Sequence, residues 1–307
     1  MNRSKIIYIA AIVISTLPFV DTPFALLIGI ILAQTVQHPF PETSKKLTHI
    51  LLQVSVVGLG FGMNALQAFD AGKQGFVFTI FSIISTISLG LFIGKRLKIE
   101  NNTSYLISTG TAICGGSAIA AISSIIKSNE KQISTALGTI FILNSIALFL
   151  FPWIGHLLHL TQHQFGVWAA IAIHDTSSVV GAANKYGAEA LQIATTIKLE
   201  RALWIVPIAI ISVIVFKGES RKIKIPYFIF LFVLAMLLNT FIPTIHSEAT
   251  FIVMVSKIGL KITLFLIGTS LSKDLITSVG IKPLLQGILL WTFISVLSLV
   301  IIINTVL

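Results

Sequence analysis

Charged side chains make up only 10% of the 307 residues, where a soluble domain carries roughly 25%. So few charges cannot cover a folded chain against water, which excludes an ordinary soluble globule. Carboxylates are the scarcer sign, with 11 Asp and Glu against 21 Lys and Arg, a formal net charge of +10. Cysteine is nearly absent as well: Cys114 stands alone, so neither an intrachain disulfide nor a multi-cysteine metal site can form. No HExxH, no GxSxG, no paired-carboxylate pattern and no nucleotide-binding loop occurs. The common hydrolases and nucleotide-driven pumps are therefore not expected, and the chain reads as neither an enzyme nor a cofactor binder.

What is present is apolar. Hydrophobic residues reach 55%, and they fall in successive stretches that approach or exceed the roughly 17–25 residues needed to cross a bilayer. Read between Pro, Gly and charges, these give about eleven segments. They cover 6–20, 24–36, 47–66, 74–94, 104–126, 133–151, 165–183, 190–216, 226–243, 251–271 and 283–306. The expectation is an all-α integral membrane protein with a single transmembrane domain over 1–307 and no separate soluble part or regulatory tail. The excess cations lie mostly between the segments, where they act as topology signals and phospholipid contacts rather than as a nucleic-acid surface. Met1-Asn2-Arg3-Ser4-Lys5 followed by Ile6 to Val20 has the look of a signal peptide. Without a small-residue cleavage site, a retained first helix is the better reading.

If every segment crosses, the N-terminus with Arg3 and Lys5 is cytoplasmic in a bacterial inner membrane. Lys45, Lys46, Lys95, Arg96, Lys98, Lys217, Arg221, Lys222 and Lys224 then fall on the same side. Lys127 and Lys131 break the rule by falling outside, while 155–164, with no Lys or Arg, falls inside. Internal similarity bears on this. The run Val57 to Leu66 lies on Phe265 to Ser272 with Gly60 on Gly268, and Gly72 matches Gly280. Separately, Cys114 to Ala121 lies on Asp175 to Ala182, each followed by Gln-Ile-x-Thr at Gln132 and Gln192. An extra N-terminal helix (1–22), a first repeat (23–151) and a second in rearranged order (165–307) are expected. If 104–126 and 165–183 are re-entrant hairpins, the second pair becomes inverted, as the first already is, and Lys127 and Lys131 return to the cytoplasm. About nine full spans plus two hairpins thus competes with eleven spans.

Both of those segments carry polar interruptions. In the first, Gly110, Gly115 and Gly116 stand among Thr109, Thr111, Cys114 and Ser117. Each interior Gly weakens a helix by roughly 1 kcal/mol relative to Ala, and unwound backbone at membrane depth attracts ions. Close packing through small residues is the competing reading. In the second, His174-Asp175-Thr176-Ser177-Ser178 places five consecutive polar residues in Val167–Ala183. Ionisable groups at that depth mark a path; the alternative is a structural His–Asp pair. Lys198, Glu200, Arg201, Lys257 and Lys261 also lie within apolar segments, giving more cations than Asp175 and Glu200 neutralise, a balance that favours an anion. Asn64 and Asn144 are expected to make plain interhelical hydrogen bonds.

Thr111 to Ala121, Ile173 to Ala183 and Lys198-Leu199-Glu200-Arg201-Ala202-Leu203-Trp204, with Val255-Ser256-Lys257 and Ile267-Gly268 downstream, resemble the conserved hypothetical bacterial membrane proteins grouped as a sulfate exporter family. That family is placed with the bile-acid:sodium symporters and cation–proton antiporters. The resemblance implies an inverted-repeat fold, two interrupted helices that cross and meet at mid-membrane, and motion of one bundle against another. The functional expectation is an ion-coupled secondary transporter exporting a small anion such as sulfate or a sulfonate. Thr111, Cys114, Gly115, Gly116, Ser117 and His174 to Ser178 would bind substrate or ion. Asp175 and His174 would handle a coupling proton or sodium, and Lys198, Arg201 or Lys261 would supply counter-charge. A sodium/proton antiporter using Asp175, a channel, and a homodimeric assembly remain open.

Overall fold

The structure is a computed structural model that describes residues 3–17, 20–36, 38–216 and 227–305, and every regular element among them is a helix. In chain order these are α1 (Arg3–Thr16), α2 (Thr22–Thr35), α3 (Pro41–Gly60), α4 (Ala65–Arg96), α5 (Asn101–Ala112), α6 (Gly116–Ile125), α7 (Glu130–Leu157) and α8 (Gln162–Ala172). They continue with α9 (Thr176–Tyr186), α10 (Ala188–Leu203), α11 (Ile205–Val215), α12 (Tyr227–Phe241), α13 (Pro243–Ser270), α14 (Lys273–Ser278) and α15 (Ile281–Thr305). Each of the eleven apolar segments is helical over most of its described residues. By length and composition, Phe78–Arg96, Glu130–Leu157, Glu248–Ser270 and Ile281–Thr305 can each cross a membrane. Large apolar side chains face outward on many helices, for example Ile214 at 72% and Phe230 at 56% exposure, a pattern suited to lipid rather than water. The loop with Lys217, Arg221, Lys222 and Lys224 lies outside the described residues.

Some boundaries move for local reasons. The segment read as 190–216 is two helices, because Pro207 has no N–H for the Leu203 carbonyl and its ring crowds it, so α10 ends there. Helix α4 starts at Ala65 rather than 74, since the Asn64 carboxamide oxygen accepts from the Leu66 amide at 2.9 Å. Asn64 thus caps a helix start, a role its sequence position did not suggest.

The chain forms two compact units. The first, residues 1–70 and 226–273, packs α13 against α2 and α3, with α12 on α3 and α1 on α13. Tyr8, Ala25, Leu32, Phe265 and Leu266 form a buried cluster here. Glycine sets the spacing: a Cβ on Gly29 would lie 2.2 Å from the Phe265 carbonyl, and one on Gly268 would lie 2.3 Å from the Leu26 carbonyl. Only glycines allow backbones so close. Gly60, which the sequence aligned with Gly268, admits α12 in the same way, its added Cβ meeting the Phe232 carbonyl at 2.8 Å.

The second unit, residues 71–225 and 274–307, holds both interrupted segments. Its geometry decides between crossing helices and hairpins. Were 102–126 one straight helix, its ends would be about 36 Å apart at 1.5 Å per residue. Instead the Asn102 carboxamide donates to the Ile126 carbonyl at 3.3 Å, so α5 and α6 are antiparallel. The same holds for α8 and α9: the Tyr186 hydroxyl donates to the Leu160 carbonyl at 2.7 Å, and the Phe165 and Tyr186 rings stack at 3.7 Å. The crossing form implied by the family resemblance gives way to two helical hairpins.

Candidate functional site

Each hairpin turns at the polar interruption the sequence marked, by different chemistry. At the first, α5 stops at Ala112, Ile113 leaves helical geometry, and the Gly115 amide closes back on the Gly110 carbonyl at 2.8 Å. Gly115 has φ 65° and ψ −124°, a conformation that L side chains rarely adopt. The second tip needs no glycine. Ile173 and Asp175 are extended, and the Asp175 carboxylate caps α9 by accepting from the Ser177 amide at 3.1 Å and from the Ser177 hydroxyl.

The two tips touch. A Cβ built on Gly115 would stand 3.3 Å from both Cα and Cβ of Asp175. Helices α6 and α9 both run away from this point, so the positive ends of two helix dipoles converge on it. They are not equally open. Asp175 covers the start of α9, whereas α6 begins at Gly115 with no side-chain cap, and Gly116 and Ser117 are half-buried and exposed. Thr111, Cys114, His174, Thr176, Ser177 and Ser178 are buried around it. The tip residues singled out by the sequence thus flank one contact, that of Gly115 with Asp175.

The negative ends of α5 and α8 also point at the junction, and α10 answers both. Lys198 donates to the carbonyls of Ala170 and Ile173 at 3.2 and 2.7 Å, where α8 ends. Arg201, one turn on, donates to the Ala112 carbonyl at 2.5 Å, where α5 ends, and to the Ser82 hydroxyl at 2.8 Å. Both side chains are fully buried. The free counter-charge expected of them is thus committed to the carbonyl ends of two broken helices, an arrangement favoured by the dipoles and by charge-assisted hydrogen bonds.

Other expected members lie elsewhere. Lys261 belongs to the first unit, where it donates to the Leu17 carbonyl at 3.2 Å beyond the end of α1. Lys257 is in that unit too, on a cavity of about 530 Å³ shared with Phe61, Asn239 and Val253. The junction is formed by residues of the second unit. Asn144 is one of them: its carboxamide oxygen accepts from the His174 amide at 3.1 Å, so it supports a hairpin tip. Its Nδ2, both imidazole nitrogens of His174, the Thr111 hydroxyl and the Trp291 Nε1 are buried with no hydrogen-bond partner. Unpaired polar atoms at such depth are costly, and the Trp291 ring stands edge-on to that of His174 with centroids 6.5 Å apart. Ser82 and Trp291 carried no sequence signal, because each is an ordinary residue of a long apolar helix.

Helices, outward apolar surface and buried polar junction define a membrane protein that is helical in every regular element described and whose second unit holds two meeting hairpins. The family described as conserved hypothetical protein 698 matches residues 4–287, and the chain belongs to it. A UPF0324 membrane protein of Bacteroides thetaiotaomicron is 52% identical over 97% of this chain and 95% of its own length. Those of Bdellovibrio bacteriovorus and Porphyromonas gingivalis are 48% and 51% identical, over 96% and 90% of this chain and 94% and 85% of their own. No solved structure matches the chain.

Proposed function

We propose that this protein is an ion-coupled secondary transporter, a carrier rather than an enzyme, that exports a small anion such as sulfate or a sulfonate across the bacterial inner membrane. The observation that carries this reading is the meeting of two half-helix starts, α6 and α9, at Gly115 and Asp175. Unwound backbone at membrane depth is tolerated beside a cavity, and converging helix N-termini are anion sites. Of these two, α6 is the one whose N-cap residue, Gly115, supplies no side-chain cap, so the anion binds there, beside Ser117.

In this reading the N-terminus is cytoplasmic, both hairpins are re-entrant, and the first returns Lys127 and Lys131 to the cytoplasm, as positive-inside topology favours. The repeats 23–151 and 165–307 enter the membrane with opposite orientation. Sodium/proton antiport centred on Asp175 fits less well, because its carboxylate already accepts from Ser177. The test is counterflow of radiolabelled sulfate in proteoliposomes. Saturable uptake driven by internal sulfate is expected, lost in Asp175→Asn, where a neutral side chain weakens the cap and the tip contact. Full activity in that variant, or no counterflow with sulfate or small sulfonates, refutes the reading.

A further inference from the structure

A transporter driven by an ion needs a group that binds that ion and exchanges it with water. At the hairpin junction Asp175 caps α9, Lys198 and Arg201 hold the ends of α8 and α5, and the His174 imidazole, unpaired, is fully buried with no exposure to solvent; all but His174 are engaged in side-chain hydrogen bonds. Nor is Glu200 engaged. Both of its carboxylate oxygens are buried with no hydrogen-bond partner. Arg201 follows it directly, but neighbours on a helix point about 100° apart, and the Arg201 guanidinium is turned to Ser82 and Ala112. Among the described residues it is the charge that acts on Glu200 from close by. Of the helices packed on α10, α8 brings His163, which pairs with Glu189 at 3.8 Å, α9 brings Lys185 and Tyr186, and α11 brings no ionisable group. Helices α4 and α5, which Arg201 meets at Ser82 and Ala112, bring Lys95 and Arg96 in the last turn of α4 and Tyr105, whose hydroxyl bonds Ser212.

A second observation shows how Glu200 is reached. Between Ala190 and Ala202 the residues of α10 that are not buried are Gln192, Thr196 and Glu200, spaced by four and all polar. A four-residue spacing places them on one face. The stripe starts near exposed Glu189, at the open end of the second hairpin, and beyond Glu200 the outward residues become Leu203, Val206, Ile210 and Ile214. A lipid-facing stripe would be apolar throughout, as it is in α11. Polar residues on a membrane helix face protein or a watery cavity rather than lipid, and here the partly open polar face runs as far as Glu200, whose carboxylate oxygens lie beneath it, closed off from solvent.

We propose that Glu200 is the carboxylate that takes up and releases the coupling proton, with Gln192 and Thr196 lining its path to water. This rests on the transporter reading and places the coupling ion on α10, beside the anion at the tips. A carboxylate with no donor is costly to bury charged, and a proton from the aqueous phase removes that cost by converting it to the neutral acid. The proton leaves again to water when the stripe opens to the other side. Because α10 also carries Lys198 and Arg201, a charge change at Glu200 occurs on the helix that holds both hairpin tips.

Two measurements test this in the full chain. In lipid nanodiscs, infrared difference spectra between acid and alkaline buffer, without substrate, are expected to show the C=O stretch of a protonated carboxylic acid. The band should be missing in Glu200→Gln and retained in Asp175→Asn. Persistence of the band in Glu200→Gln, or its absence from the unaltered protein, overturns the assignment whatever the substrate is. In proteoliposomes with a trapped pH dye, Glu200→Gln should keep sulfate–sulfate counterflow and lose sulfate-driven proton movement. Unchanged proton movement also overturns it. If the unaltered protein carries no sulfate, the anion reading fails and the infrared result alone decides Glu200.

Discussion

Replacing Gly115 by alanine and, separately, Gly116 by alanine separates two residues that look equivalent in the chain. At Gly115 an alanine must hold φ 65°, which costs on the order of 1–3 kcal/mol for a residue with a side chain. Its Cβ also sits 3.3 Å from the Asp175 backbone and from Ile140, so relief requires the second tip to retreat. At Gly116 the nearest atoms are the ends of Leu137 and Phe141 at 3.5 Å, ordinary contact, and the position is helical. Alanine there gains up to about 1 kcal/mol of helix propensity. The two variants should therefore differ by about 2 kcal/mol, roughly 30-fold in the folding equilibrium. Denaturant titration of the purified protein in micelles, read by tryptophan fluorescence, measures the difference directly. Sulfate counterflow should fall with Gly115→Ala and survive Gly116→Ala. Equal unfolding midpoints, or a lower midpoint for Gly116→Ala, would refute the tip geometry and its contact with the other hairpin.

Arg201→Lys keeps the charge but cannot span Ser82 and the Ala112 carbonyl together. It should cost about 1.5–3 kcal/mol, the worth of one charge-assisted bond; a midpoint equal to that of the unaltered protein in the same titration would show that the fork is not needed. Single cysteines at 128 and 161, in a background lacking Cys114, report topology. Impermeant maleimide should label 128 from the cytoplasmic face and 161 from the opposite face, and labelling of 128 only from outside would sink the re-entrant arrangement.

The class of protein and the location of its helices were legible in the chain. Each of the eleven apolar segments is helical over most of its described residues, because hydrophobic length and the punctuation by Pro, Gly and charge are local properties. The two interruptions were legible for the same reason: Gly115-Gly116 and His174-Asp175 are conspicuous inside apolar runs. The partners of the buried cations were not. Lys198, Arg201 and Lys261 look alike as isolated charges, yet two of them bind the ends of broken helices and the third lies in a different unit. The carbonyl that Arg201 meets is 89 positions away and the hydroxyl 119. No local pattern encodes such pairings.

By itself the sequence determined that this is a helical membrane protein with two broken segments and a surplus of cations, since those follow from composition and short-range pattern. Span parity and charge asymmetry pointed to hairpins without excluding crossing helices, because a broken apolar run of that length satisfies either path through a bilayer. Tertiary structure decided it, through contacts such as Asn102 with Ile126 and Tyr186 with Leu160 that exist only when the chain doubles back. It also turned the cation surplus from free counter-charge into caps for helix ends, and left Glu200 as the carboxylate on α10 without a hydrogen-bond donor. Which carbonyl meets which charge depends on how the helices pack, and packing is where residues far apart in the chain first come within reach of one another.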